Sequence, residues 1–228
     1  MILDKENLRA KLDQVIWNIE KARIAVSEHH IVQLVAVGKY TEIENIETLY
    51  HLGQRAFGEN QVQQLKTRMS QLEALPLEWH MIGRLQKNKI NNLIDLHPAL
   101  MHSLDSLELA ETLNTKLAAK EREMPCLLQI NASQEASKSG VHPDEAVDLY
   151  QEILERFPRI HLRGVMTIGA QSDEKREIQK SFETTRTIFE TLQKEGASIC
   201  SMGMSNDYTL AIQCGSTLVR VGSALFKG

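Results

Sequence analysis

Ile31-Val32-Gln33-Leu34-Val35-Ala36-Val37-Gly38-Lys39 is an apolar, β-branched run that ends in a glycine and a lysine. It is too short for a buried helix and too continuously apolar for a strand with one wet face. It therefore reads as a strand buried on both faces, the kind parallel sheets use. A lysine is out of place at its end. Two readings of Lys39 compete. One is a side chain that snorkels to the surface. The other is an amine at the dry mouth of a strand, where desolvation makes the neutral nucleophile available for Schiff-base chemistry.

Outward from this strand the chain alternates strand and helix. Ahead of it, residues 3 to about 28 carry apolar side chains at Leu8, Leu12, Val15, Ile16, Ile19 and Ala22, the period of a leading helix. Behind it, a helix from Thr41, its expected N-cap, runs to about His51 and stops at Gly53. Further strands are expected at 55–57, 78–83, 100–103, 125–130, 162–168, 198–202 and 217–221, with helices between them. Eight strands alternating with helices, with no break in composition, predict a single-domain α/β fold, a (β/α)₈ TIM barrel spanning 1–228. An open doubly wound sheet is the alternative. Neither a G-x-G-x-x-G after the first strand nor a Walker A lysine motif occurs, so neither nucleotide fingerprint is present. In a barrel the strand C-termini share one mouth, which gathers Lys39, Asn60, Gly83, Ser103, Asn131, Lys138, Gly169, Ser205 and Arg220.

Composition narrows the function classes. The 228 residues are 42% hydrophobic and 25% charged, with a net charge of −4 and a pI near 6.1, which argues against a nucleic-acid binder. Charged residues interrupt the first 25 positions, so neither a signal peptide nor a membrane span is expected and the protein is placed in the cytoplasm. Cys126, Cys200 and Cys214 are odd in number and lack C-x-x-C spacing, and the eight histidines lack ligand spacing, so no metal is assigned.

The turns after strands seven and eight, Met202-Gly203-Met204-Ser205-Asn206 and Arg220-Val221-Gly222-Ser223-Ala224, are rich in small residues. Barrels frequently hold a phosphate at these two strand ends. Gly203 and Gly222 let backbone N–H groups approach an anion, and Ser205 and Ser223 add hydroxyl donors. A carbonyl-reactive lysine and a phosphate cup together suit a ligand with both an aldehyde and a phosphate.

Val35-Ala36-Val37-Gly38-Lys39, Phe57-Gly58-Glu59-Asn60, Trp79-His80-Met81-Ile82-Gly83, His102-Ser103-Leu104-Asp105, Ser137-Lys138-Ser139-Gly140, Ser201-Met202-Gly203-Met204-Ser205-Asn206-Asp207 and Val219-Arg220-Val221-Gly222 resemble, in order, the motifs of the YggS/PROSC-like pyridoxal phosphate homeostasis proteins. The resemblance implies a barrel like the alanine racemase N-terminal domain. It implies pyridoxal 5′-phosphate (PLP) held as a lysine aldimine at Lys39, with Asn60, Ser205, Asn206, Arg220, Gly222 and Ser223 as further cofactor-binding residues. It implies PLP homeostasis without established catalysis, with PLP-requiring apo-enzymes as recipients. Gly38 and Thr41 depart from the family's usual Ser and second Lys at those places, which leaves Lys138 as the candidate secondary amine. By resemblance Arg220 faces the pyridine nitrogen and keeps it unprotonated, a poor electron sink. A PLP-dependent racemase also needs an acid/base on each face of the substrate carbon, and the chain's end at Gly228 leaves no second domain to supply one. That enzyme is the alternative function, and an anion-binding module on Arg84, Lys87 and Lys89 is a third. A monomer is expected.

Overall fold

The computed structural model describes residues 2–135 and 137–227. Met1 and Gly228, at the edges of the expected 1–228 domain, and Ala136, inside the polar loop, lie outside the described residues. Eight parallel strands close in sequence order into one barrel: β1 (Gln33–Val37), β2 (Ala56–Glu59), β3 (Glu78–Met81), β4 (Leu100–Leu104), β5 (Met124–Ile130), β6 (Ile160–Thr167), β7 (Ile199–Ser201) and β8 (Leu218–Val221). The barrel closes where β1 pairs with β8, Gln33 opposite Leu218 and Ala36 opposite Val221.

Around it lie α1 (Lys5–Val26), α2 (Ile43–His51), α3 (Val62–Gln71), α4 (Ile90–Leu96), α5 (Leu107–Ala119), α6 (Ala146–Arg156), α7 (Lys175–Leu192), α8 (Tyr208–Gln213) and the short α9 (Ser223–Phe226). Among these, α1 precedes the barrel and rests on α8 and α9, where Asn18 donates to the Tyr208 hydroxyl at 2.9 Å. Ser106 caps α5 by accepting the Leu109 N–H. Thr41 does not cap α2. Glu42 takes the N-cap position, its side chain making no capping bond to the helix, and Thr41 Oγ1 accepts from Asn45 instead. The expected first strand is shorter at its start, because sheet pairing begins at Gln33 and leaves Ile31 exposed. The basic stretch 86–93 divides into a 3₁₀ turn, Lys87–Lys89, and the start of α4.

Strand alternation sorts the core into two layers. Phe57, Trp79, Met81, Met101, Leu128, Val165, Cys200, Val219 and Val221 point outward and pack against the helices. The barrel interior is different. Its apolar part is a small plug of Val35, Ala56, Leu100, Leu127, Met166 and Leu218. Two residues along from plug residues on the same strands stand His102 and Arg220, and Ser201 follows Ile199 in the same way, so a polar column fills the rest of the interior.

Candidate functional site

Lys39 stands two residues past β1, and the register of β1 with β8 sets that strand end beside the Val221-Gly222 turn. Gly222 is packed so closely that a Cβ there would lie 3.2 Å from the Val37 carbonyl oxygen. After Gly38 the chain turns through Tyr40, whose φ of 64° is in the left-handed region, and both Lys39 and Tyr40 are exposed. The lysine amine lies 5.9 Å from the Tyr40 ring centroid. Of the two readings of Lys39, the exposed side chain is the one found.

The two small-residue turns meet. Ser205 Oγ accepts the Gly222 N–H at 3.1 Å and the Ala224 N–H at 3.2 Å. These two backbone donors and the Ser205 hydroxyl thus face one point. Gly203, with φ of 92°, gives the β7 turn its shape, and a Cβ there would approach Ala211 Cβ to 2.6 Å. Asp207 holds the same turn by accepting the Met204 N–H at 2.6 Å, and its burial raises its pKa. Asn206 and Ser223 are exposed beside the cup.

Arg220 lies inside the barrel with 4% of its surface exposed. Its Nη1 donates to Ser201 Oγ at 2.5 Å and its Nη2 to the Thr167 carbonyl at 2.8 Å. Burial pushes the guanidinium down to about 10, against the pull of Asp207, so it stays charged at neutral pH. Asn60 lines a hollow of about 260 Å³ with Arg84, Gln86 and Lys89. Arg84 approaches Asp105 at 3.7 Å and Lys87 pairs with Glu108, so the basic stretch is partly neutralised rather than a bare cationic face.

Lys138 is tied down. Its amine reaches Glu135 Oε1 and the Gly169 carbonyl at 2.7 Å each, and Ser133 Oγ at 3.3 Å, which accounts for all three N–H groups of an ammonium. The expected secondary amine is a bridge between the loops after β5 and β6.

Two features escaped the sequence reading. The first is a buried pair beneath Gly38, in which Arg68 Nη1 meets Glu59 Oε1 at 2.9 Å with side-chain exposures of 7% and 0%. Neither atom is aligned for a hydrogen bond. Burial accordingly outweighs the Arg68 attraction and lifts the Glu59 carboxyl to about 7. Arg68 Nη2 also donates to the Thr41 carbonyl at 2.8 Å. Gly38 and Thr41, the two departures from the family motif, therefore both touch this guanidinium. The second feature is the column of His80, His102 and Ser201 inside the barrel. Its signal is the presence of polar side chains among apolar neighbours in β3, β4, β7 and β8.

The chain matches the model of the alanine racemase N-terminal domain over residues 10–228. It is 53% identical over 219 residues to the pyridoxal phosphate homeostasis protein of Helicobacter pylori strain ATCC 700392 / 26695, covering 96% of this chain and 98% of that one. It is similar to PipY of Synechococcus elongatus PCC7942 solved without PLP, with TM-score 0.85, 31% identity and coverage of 96% and 99%. The same protein with PLP bound matches with TM-score 0.77 and 32% identity over 91% of this chain and 99% of that one. On sequence and fold alike, this chain belongs to the pyridoxal phosphate homeostasis proteins, within the alanine racemase N-terminal domain family.

Proposed function

We propose that this protein binds pyridoxal 5′-phosphate and serves its homeostasis, holding the cofactor through Lys39 and releasing it to PLP-requiring apo-enzymes. The observation that carries the reading is the convergence of the Gly222 and Ala224 N–H groups on Ser205 Oγ, beside the β1 end that bears Lys39. Those groups suit a phosphate. Lys39 supplies a primary amine for the aldehyde, and its exposure lets a competing amine reach the same carbon. Arg220, a donor that stays charged, suits an unprotonated ring nitrogen. When bound, the cofactor supplies a reactive aldehyde and, with that nitrogen unprotonated, only weak carbanion stabilisation.

Among the described residues, none of the four tyrosines is placed as the second acid/base that racemisation needs. Tyr40 is on the lysine's own side, Tyr208 is engaged by Asn18, Tyr150 is buried in the outer core and Tyr50 packs on Arg55. Holding the cofactor without turnover is the reading these features support.

Borohydride reduction of the PLP-loaded protein, followed by peptide mass analysis, tests it: the reduced adduct is expected on Lys39 and is lost in Lys39→Ala. An adduct confined to Lys138 or another lysine refutes the assignment.

A further inference from the structure

A continuous hydrogen-bonded column crosses the barrel from its mouth to its underside. Arg220 Nη1 donates to Ser201 Oγ at 2.5 Å, and Ser201 Oγ lies 3.2 Å from His102 Nδ1. His102 Nε2 lies 2.8 Å from His80 Nδ1, and His80 Nε2 lies 2.7 Å from Glu78 Oε1. Gln33 adds a donor to the same carboxylate oxygen at 3.2 Å. Ser201, His102 and His80 are each at most 1% exposed, whereas the Glu78 side chain, at the N-terminal end of β3, is 44% exposed.

Each link has one hydrogen to place, and the carboxylate decides where. Burial above all, with the Arg220 charge adding to it, pushes the His102 pKa well below the usual histidine range, so His102 carries one N–H. A carboxylate only accepts, which puts a proton on His80 Nε2. With His80 neutral, its Nδ1 is then a lone pair and must receive His102 Nε2–H. His102 Nδ1 is left as an acceptor and takes the Ser201 hydroxyl proton. Ser201 Oγ, its own proton committed, accepts from Arg220. Every donor points from the mouth to Glu78. In the opposite tautomer set, a lone pair on His80 Nε2 would face the carboxylate at 2.7 Å, and Ser201 would meet two donors while its own proton lost its acceptor.

We propose that Glu78 is a positioning residue for Arg220, acting through His80, His102 and Ser201 across the barrel, and so fixes which guanidinium N–H groups remain for the cofactor's ring nitrogen. The proposal rests on the reading of Arg220 as the ring-nitrogen partner. The column itself is independent of the cofactor.

Glu78→Gln separates the two. The amide keeps the volume but offers either its oxygen or its N–H to His80 Nε2, so it accommodates both tautomer sets. Long-range imidazole ¹H–¹⁵N spectra of cofactor-free protein at pH 8 are expected to show His80 and His102 as single Nε2–H tautomers. In Glu78→Gln, His102 is expected to show both. PLP affinity is expected to fall about three- to tenfold in that variant, in line with the loss of one charge-assisted link. Glu78→Gln made on Ser201→Ala is expected to have no further effect on affinity, because the column is already cut.

A wild-type His102 in the Nδ1–H form, or a Glu78→Gln protein whose tautomers do not change, overturns the proposal. So does an equal affinity loss with and without Ser201. Failure of the wild type to bind PLP overturns the cofactor reading instead, while the tautomer spectra still decide on the column.

Discussion

Gly38 is where one methyl group has a large consequence. Its backbone is ordinary, donating to the Gly58 carbonyl at 3.1 Å, so a side chain there meets contacts rather than backbone strain. A Cβ would lie 2.6 Å from Arg68 Nη1, 2.8 Å from Glu59 Oε1 and 3.1 Å from Ile46 Cδ1. Two of those distances are below any normal contact, so the guanidinium has to move. It is not free to do so, because it is also bound to the Thr41 carbonyl and buried against Glu59. Gly38→Ser is therefore expected to destabilise by about 1–3 kcal/mol, the cost of overpacking, rather than by the larger loss of a severed buried pair. In a chain of this length that is a melting point lower by about 2–4 °C per kcal/mol. The assay is urea unfolding of Gly38→Ser with and without Arg68→Ala. The cost is expected to shrink by about 0.5–3 kcal/mol when the arginine is gone. A serine that destabilises equally in both backgrounds refutes the argument that Gly38 is needed because Arg68 fills the space.

Glu59, at about 7 in the fold against an ordinary 4.5, binds more protons folded than unfolded between those values, so stability should fall by about 3 kcal/mol as pH rises from 4.5 to 7; the decline is expected to be missing in unfolding curves of Glu59→Gln. Ser205→Ala removes a hydroxyl donor worth about 1.5–3 kcal/mol to a charged group but also frees the Gly222 and Ala224 N–H groups, so PLP affinity is expected to fall less than about tenfold. A hundredfold loss in equilibrium dialysis would contradict that exchange. Lys138→Ala is expected to raise amide hydrogen exchange in 131–140 and 169–171 together, since its amine joins both loops; a rise in one loop alone counts against the bridge. Incubated with L- or D-amino acids in deuterated water, the PLP-loaded protein is expected to show no rapid inversion, and inversion lost in Lys39→Ala would make it an enzyme.

Strand order and the two converging turns were legible because they depend on local signals: apolar runs, glycines at strand ends, and serines beside them. The turn after Lys39 was not, because it rests on one left-handed residue, Tyr40, of a type that rarely adopts that conformation; the sequence left Lys39 open between an exposed and a buried amine. The Glu59–Arg68 pair joins a strand end to a helix nine positions later, and nothing in the spacing says that the two side chains turn toward Gly38. His80 and His102 looked like unassigned histidines until the inward face of each strand was known. A strand buried on both faces does not announce which face looks into the barrel. Asn60 illustrates the same limit: its place at the end of β2 is as read, but it lines a different hollow from Ser205.

The seam between β1 and β8 has a consequence for the order of assembly. Lys39 is made early, while Ser205, Arg220 and Gly222 come from the last strands, and the register joining them pairs Gln33 with Leu218 across most of the chain. Contacts this distant in sequence form late and slowly, after the intervening units have folded. During synthesis β1 therefore waits with an open edge, and no partial barrel holds both the amine and the anion donors. Binding at this site reports that the seam is shut, and a ligand bridging it stabilises the closed barrel over any form in which the seam is open.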